Sequence, residues 1–153
     1  MELKPIGVIT SSYNTKGEAP RQGRLSDEIQ EIKIYQEYVE GLEGIDNNEY
    51  IIILYWQDKS DRSKLITKTP TSGNEERGVF SSRSPNRPNP IAFCIAQILE
   101  TSKDMLLVKG LDALNGSYVL DIKPYIVEID CINTNEVKRT VDYLENIDRR
   151  FSY

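Results

Sequence analysis

Three short segments concentrate the residue types that hold charged or flat ligands. The first is Arg77 to Pro90, RGVFSSRSPNRPNP, where three arginines and three prolines share fourteen positions. Proline fixes its own φ and pushes the preceding residue toward extended geometry, so Arg87 before Pro88 and Asn89 before Pro90 are held in β or polyproline conformations. A stiff loop that presents guanidinium forks and an amide loses little entropy on binding, as recognition of a carboxylate, a phosphate or a base edge requires. By composition alone the same segment also reads as a rigid surface turn or a polyproline ligand. The second segment is Leu111 to Tyr125, LDALNGSYVLDIKPY. Asp112 and Asp121 end or flank expected strands, Asn115-Gly116 carries a hairpin-turn signal, and Lys123 precedes a proline-fixed aromatic. Aspartates in such places are also ordinary turn-formers. The third is PRQGRL, Pro20 to Leu25, where Gly23 lets the backbone approach a ligand closely between two arginines.

Composition narrows the chemistry these segments can perform. The 153 residues include no histidine, which removes the commonest general base, the usual activator of a serine or cysteine nucleophile and the commonest metal ligand together. No metal is therefore expected. The formal charge is -5 and the pI near 4.9, a balance that argues against a polyanionic partner until its distribution is considered. Between Gln57 and Phe93 seven basic residues face four acidic ones, a local charge of +3 that leaves -8 for the rest. Cys94 and Cys131 form no CxxC pair, no secretory signal is recognisable, and both suit core packing in a reduced, cytoplasmic setting. The longest apolar run, Tyr50 to Trp56, is too short to span a bilayer, so no membrane anchoring is expected.

The elements that must position these segments read as β-rich. Pro5 to Ser12 opens with β-branched residues and feeds a long polar loop to Arg24, and Glu31 to Tyr35 alternates as a half-buried strand does. Glu49 to Trp56, EYIIILYW, is continuously apolar and is expected to be a central strand. Gln36 to Gly44 suggests a short helix. Gly78 to Ser82, Ile91 to Leu99, Met105 to Leu111 and Tyr118 to Ile122 follow at the short spacing of an all-β sandwich or barrel. Val137, Val141, Leu144 and Phe151 recur near helical spacing, with Asn133 or Asn135 as a cap. The expectation is a small, single-domain, all-β barrel over residues 1–130 with short helical segments, and a C-terminal helical extension over 131–153.

Taken together, PIGVITSSYNTKGEAPRQ, RGVFSSRSPNRPNPIAF and LDALNGSYVLDIKPY occur in the order and spacing of one family. From about Leu3 to Ile129 the chain resembles the YaeB/TsaA-like family, the TrmO-type S-adenosylmethionine-dependent tRNA methyltransferases. That resemblance implies a small β-barrel that binds S-adenosylmethionine, a homodimer, and methylation of N6 of threonylcarbamoyladenosine beside the anticodon of tRNA. By motif position it implies cofactor contacts at Gly23, Arg24, Leu25, Gln57, Asp58, Arg83, Phe93, Gly110, Leu111 and Asp112. S-adenosylmethionine carries a sulfonium, an ammonium, a carboxylate, a ribose diol and a flat adenine, so Asp112 suits the diol or ammonium, Arg83 the carboxylate, and Phe93 or Leu111 the adenine face.

Methyl transfer is an in-line displacement that positioning can drive without histidine. Asp121 or Lys123 is expected to polarise the modified base or assist proton removal, with Tyr125 stacking on it. Arg77, Arg87, Asn89, Lys64 and Lys68 are expected at the nucleic acid, the basic ones on phosphates. The chain departs from the family pattern at Trp56-Gln57-Asp58, where many members have an aromatic-His pair, and at Asn115-Gly116-Ser117-Tyr118, where they have Asp-Gly-Thr-Pro. The longer bacterial enzymes also carry a C-terminal domain that helps hold tRNA. A methyltransferase of the same fold with another RNA or a small molecule as substrate, and a non-catalytic S-adenosylmethionine-binding module, are the alternative functions.

Overall fold

Strands form where β-branched residues run together, and their alternation decides which side chains fill the interior. In the computed structural model, which describes residues 2–68 and 75–132, the strands are β1 (Gly7–Thr10), β2 (Ile29–Ile34), β3 (Tyr50–Trp56), β4 (Ile66–Lys68), β5 (Glu76–Gly78), β6 (Ile91–Thr101), β7 (Met105–Lys109) and β8 (Tyr118–Pro124). The described residues fall into two compact units: residues 2–59 with 90–125, and residues 60–89 with 126–132.

The first unit is a closed antiparallel barrel in the order β1-β2-β7-β6-β3-β8, with β8 returning to β1 through Gly7 opposite Val119 and Val8 opposite Tyr118. Closure leaves no open sheet edge. Alternate residues point inward: Ile9 from β1, Ile32 and Ile34 from β2, Ile51, Ile53 and Tyr55 from β3, Cys94 and Ala96 from β6, Leu106 and Val108 from β7, and Val119 from β8. Tyr38, Val39, Leu42 and Ile45, from and beside the 3-10 helix Gln36–Leu42, pack against this core. The expected barrel and its central strand are thus observed, with β3 paired to β6 on one side and β8 on the other.

Three local expectations are corrected. Gly78 to Ser82 is not a strand: β5 ends at Gly78 and Val79–Ser81 forms a 3-10 turn, whose Val79 N–H donates to the Leu65 carbonyl. Asn115-Gly116 does turn the chain, with Gly116 at φ +81°, but it joins β7 to β8, which are not neighbours, so it closes no hairpin. Instead the turn lies along β1, where Gly116 N–H donates to the Ile9 carbonyl and Ile9 N–H to the Ser117 carbonyl. Cys131 is exposed rather than part of the core.

The second unit holds the antiparallel β4–β5 pair, the loop that follows it and the single-turn helix α1 (Val127–Asp130). The expected C-terminal helix, with Val137, Val141, Leu144 and Phe151, lies outside the described residues. Among the described residues no helix is long and apolar enough to cross a membrane.

Candidate functional site

At the end of β7 the chain turns through Gly110, at φ +110°, into Leu111, Asp112 and Ala113. Leu111 and Ala113 are fully buried, which fixes the backbone on both sides of Asp112. The Gln30 amide, on β2, donates to the Leu111 carbonyl at 3.4 Å. The Asp112 carboxylate is held from inside the barrel: its Oδ1 accepts the Tyr55 hydroxyl at 2.5 Å and the Cys94 thiol at 3.1 Å. Burial, then the negative charge of Asp112, then Cys94 push the Tyr55 phenol far above the ordinary tyrosine range. Tyr55 therefore remains a hydrogen-bond donor.

A second turn lies directly on the first. Gly23–Leu25 forms a 3-10 turn in which Gly23 is buried, and a Cβ there would sit 1.9 Å from the Gly110 carbonyl oxygen and 2.8 Å from the carbonyl carbon of Leu111. Only glycine lets these two backbones meet. The loop leading to this turn has its own supports. Tyr13 is buried and its hydroxyl lies 2.6 Å from the Ser26 hydroxyl. The Glu18 carboxylate accepts the N–H of Asn14 at 2.6 Å and of Thr15 at 3.2 Å, bonds that hold it below the usual carboxylate range. The barrel unit thus brings together a backbone cradle, one anchored carboxylate and the exposed side chains of Arg24 and Leu25.

Residues 8–131 match the model of the tRNA-methyltransferase O (TrmO) N-terminal domain. The chain belongs to the TrmO N-terminal domain family. It is similar to an S-adenosyl-L-methionine-binding protein of Archaeoglobus fulgidus, 54% identical over 136 residues that cover 89% of this chain and 97% of that one. Among solved structures it is similar to TrmO from Pseudomonas aeruginosa, with a TM-score of 0.75 and 26% identity over 92% of this chain and 61% of that one. A second TrmO crystal structure gives a TM-score of 0.74 at 28% identity, again over 92% and 61% of the two chains. The chain spans about three fifths of the length of these solved TrmO structures.

Within this TrmO-family barrel the structure distributes the sequence candidates as follows. Gly23, Arg24, Leu25, Gly110, Leu111 and Asp112 meet at the two packed turns, but Leu111 is spent on the barrel core with no exposed surface, so its side chain cannot form the adenine face expected of it. Gln57 and Asp58 leave the end of β3, where the Gln57 N–H donates to the Pro90 carbonyl at 2.9 Å, and Phe93 stands exposed on β6 opposite Leu54. Asp121 and Lys123 owe their placement to a bulge. Tyr55 pairs with Val119 but Leu54 pairs with Asp121, so Leu120 is an extra residue that shifts the alternation. Val119 faces the core, and without the bulge Asp121 would follow it there. With it, Asp121 shares the outer face with Lys123, and the two form an ion pair at 2.6 Å. The other Asp121 oxygen accepts the N–H of Ile122 at 3.0 Å. Tyr125 is half-buried, and its N–H donates to the Tyr50 carbonyl.

The arginine-proline loop belongs to the second unit. Arg83 and Asn89 are exposed. Arg87 turns back on its own loop: Nε donates to the Ser84 carbonyl at 2.8 Å, and Nη2 to the carbonyls of Val79, at 2.8 Å, and of Ser82. Among the described residues Nη1 has no hydrogen-bond partner. Arg62 Nε donates to the Pro88 carbonyl at 3.0 Å and the Asp61 N–H to Asn86 Oδ1 at 3.0 Å, so the loop is stiffened by hydrogen bonds as well as prolines. Lys64 and Lys68 are exposed and carry loose ion pairs, each 3.5 Å long, to Asp61 and Glu76. Such exposed pairs add little stability.

Sequence reasoning missed Tyr55, Cys94, Tyr13 and Glu18. Tyr55 carried a signal, because a hydroxyl in the inward stripe of an apolar strand must find a partner. Cys94 carried none beyond its strand, since a small thiol packs as an apolar residue does.

Proposed function

We propose that this chain is an S-adenosylmethionine-dependent methyltransferase that methylates N6 of threonylcarbamoyladenosine in tRNA. The observation that carries the cofactor reading is the packing of Gly23–Leu25 on Gly110–Asp112, because it joins two motif segments 87 positions apart in a cradle with an anchored acid. Residues of the barrel fit the ligand: backbone groups from the two turns, Asp112 for a diol or ammonium, and Phe93 for a flat ring, while motif position adds Arg83 for a carboxylate and Gln57 and Asp58 as further polar contacts.

When bound, S-adenosylmethionine supplies an electrophilic methyl group. The chain's own part is to hold the acceptor nitrogen in line and to manage its proton. Asp121 and Lys123, paired on the outer face of β8, polarise the acceptor base and assist loss of its proton, while Tyr125 stacks on the base. The basic residues Arg77, Arg87, Lys64 and Lys68, with Asn89, meet the nucleic acid. The protein acts as a homodimer in the cytoplasm, and the exposed apolar side chains of Tyr50, Ile91, Leu99 and Tyr118 on the barrel supply area for a second copy.

The test is methyl transfer from labelled S-adenosylmethionine to tRNA with and without the threonylcarbamoyl group, using wild type, Asp121→Asn, Tyr125→Phe and Tyr125→Ala. Transfer only to the modified tRNA, lost in Asp121→Asn and Tyr125→Ala, is the expected result. Near-normal turnover by those variants would remove them from the reaction. The formal charge of -5 favours a second reading, in which the acceptor is another RNA or a small molecule. Transfer that does not need tRNA would select it. The name of the archaeal relative favours a third, a module that binds S-adenosylmethionine without turning it over. Tight binding with no transfer to any acceptor would select that one.

A further inference from the structure

The inward face of the barrel contains two polar side chains whose hydrogen bonds converge on one oxygen of one acid. Tyr55 on β3 is 1% exposed and Cys94 on β6 is 7% exposed, and each donates to Asp112 Oδ1, at 2.5 and 3.1 Å. Among the described residues Oδ2 has no hydrogen-bond or ion-pair partner. A carboxylate that accepts two donors on one oxygen is fixed in rotation, so the direction of its other oxygen is set by the barrel wall and not by the ligand. The backbone cannot swing to compensate, because Leu111 and Ala113 on either side are fully buried.

We propose that Tyr55 and Cys94 are positioning residues that aim Asp112 Oδ2 at a hydrogen-bond donor of the bound ligand, a vicinal diol or an ammonium group. This rests on the reading of Asp112 as a ligand-holding acid given above and adds the two groups that make it one. A fixed acceptor loses less entropy when it binds than a free aspartate would. The thiol is the weaker donor of the two, so Tyr55 carries more of the constraint. Burying the phenol in the barrel is unfavourable unless it is satisfied, and Asp112 is the group that satisfies it.

Calorimetric titration with S-adenosylmethionine tests this on wild type, Tyr55→Phe, Cys94→Ala, Cys94→Ser and Asp112→Ala, each first checked for native near-ultraviolet dichroism. Tyr55→Phe should bind on the order of ten-fold more weakly, because an Asp112 side chain freed to rotate must be ordered by the ligand. Cys94→Ala should bind about three- to ten-fold more weakly. Cys94→Ser, which restores a donor of similar size, should regain most of the affinity. That rescue separates aiming from packing, because serine fills the site no better than alanine does for an apolar neighbour. Should Tyr55→Phe fail to fold, the Cys94 pair alone carries the test. Binding lost in Asp112→Ala but unchanged in Tyr55→Phe and Cys94→Ala would overturn the inference and leave the cofactor reading intact. No binding by wild type would overturn both. Repeating the series with adenosine, which has the diol but no ammonium, identifies the donor: a parallel loss assigns the diol, and a loss confined to S-adenosylmethionine assigns the ammonium.

Discussion

A methyl group added at Gly23 has nowhere to go. Its Cβ would lie 1.9 Å from the Gly110 carbonyl oxygen, 2.5 Å from that carbonyl carbon and 2.8 Å from the Leu111 carbonyl carbon, and all three atoms are backbone. Ordinary contacts begin near 3.5 Å, so the two turns must separate by about 1.5 Å. Overpacking of this kind costs about 1–3 kcal/mol, which for a domain of this size lowers Tm by roughly 2–12 °C. The functional loss should be larger than the stability loss, because a displacement of more than 1 Å between ligand-holding groups reduces turnover by about 100-fold. Scanning calorimetry of Gly23→Ala measures the first effect, and S-adenosylmethionine titration together with methyl-transfer rates measures the second. Gly41→Ala serves as the control, since a Cβ there meets nothing within 4 Å, and it should match wild type in both. A Gly23→Ala protein that melts and binds as wild type does would refute the packing of the two turns, and with it the cradle.

Other outcomes follow from particular contacts. Arg87→Lys keeps the charge but loses the fork that bonds three loop carbonyls, and should destabilise the protein by about 1–3 kcal/mol in urea unfolding; an unchanged midpoint would show that the staple does not matter. Lys64→Ala, Lys68→Ala and Arg77→Ala should each flatten the dependence of log affinity for tRNA on log salt by about one unit, and three unchanged slopes would place the RNA elsewhere. Glu18, whose folded carboxyl titrates below its ordinary value through the Asn14 and Thr15 N–H groups, should order the 14–18 loop at neutral pH and lose that effect only as pH falls through the lowered value. Amide chemical shifts of Asn14 and Thr15 followed against pH report it, and a midpoint at the ordinary glutamate value would contradict the contact.

The barrel was legible because its signals are local. Runs such as EYIIILYW and IAFCIAQIL declare strands by composition, and their close spacing leaves few ways to bury them. The site was legible only through its motif glycines, arginines and aspartates, which name positions but not partners. The hydrogen bonds to Asp112 join residues 57 and 18 positions apart, and nothing in the alternation of β3 or β6 says which inward residue will reach the turn after β7. The bulge at Leu120 is a second example. DIKPY read as simple alternation puts Asp121 beside Val119, and only the pairing with β3 shows that one residue is looped out. The segment GVFSS misled for a related reason: its β-branched start resembles a strand, yet the bonds it makes are those of a turn tied to Leu65.

The seam of the barrel bears on how the protein is made. β1 meets β8 through only two residue pairs, and Gly7 and Val119 are 112 positions apart. At ribosomal rates of 5–20 residues per second, β8 emerges on the order of 10 s after β1. During that interval β1 can pair with β2 along one side only, so its other edge is open to a neighbouring nascent chain. Closure of the barrel is then the last and most non-local step of folding. A chain stalled before Tyr118 would carry an almost complete sheet with a free edge at each end, a species suited to capture by a chaperone or to pairing with a second copy of itself.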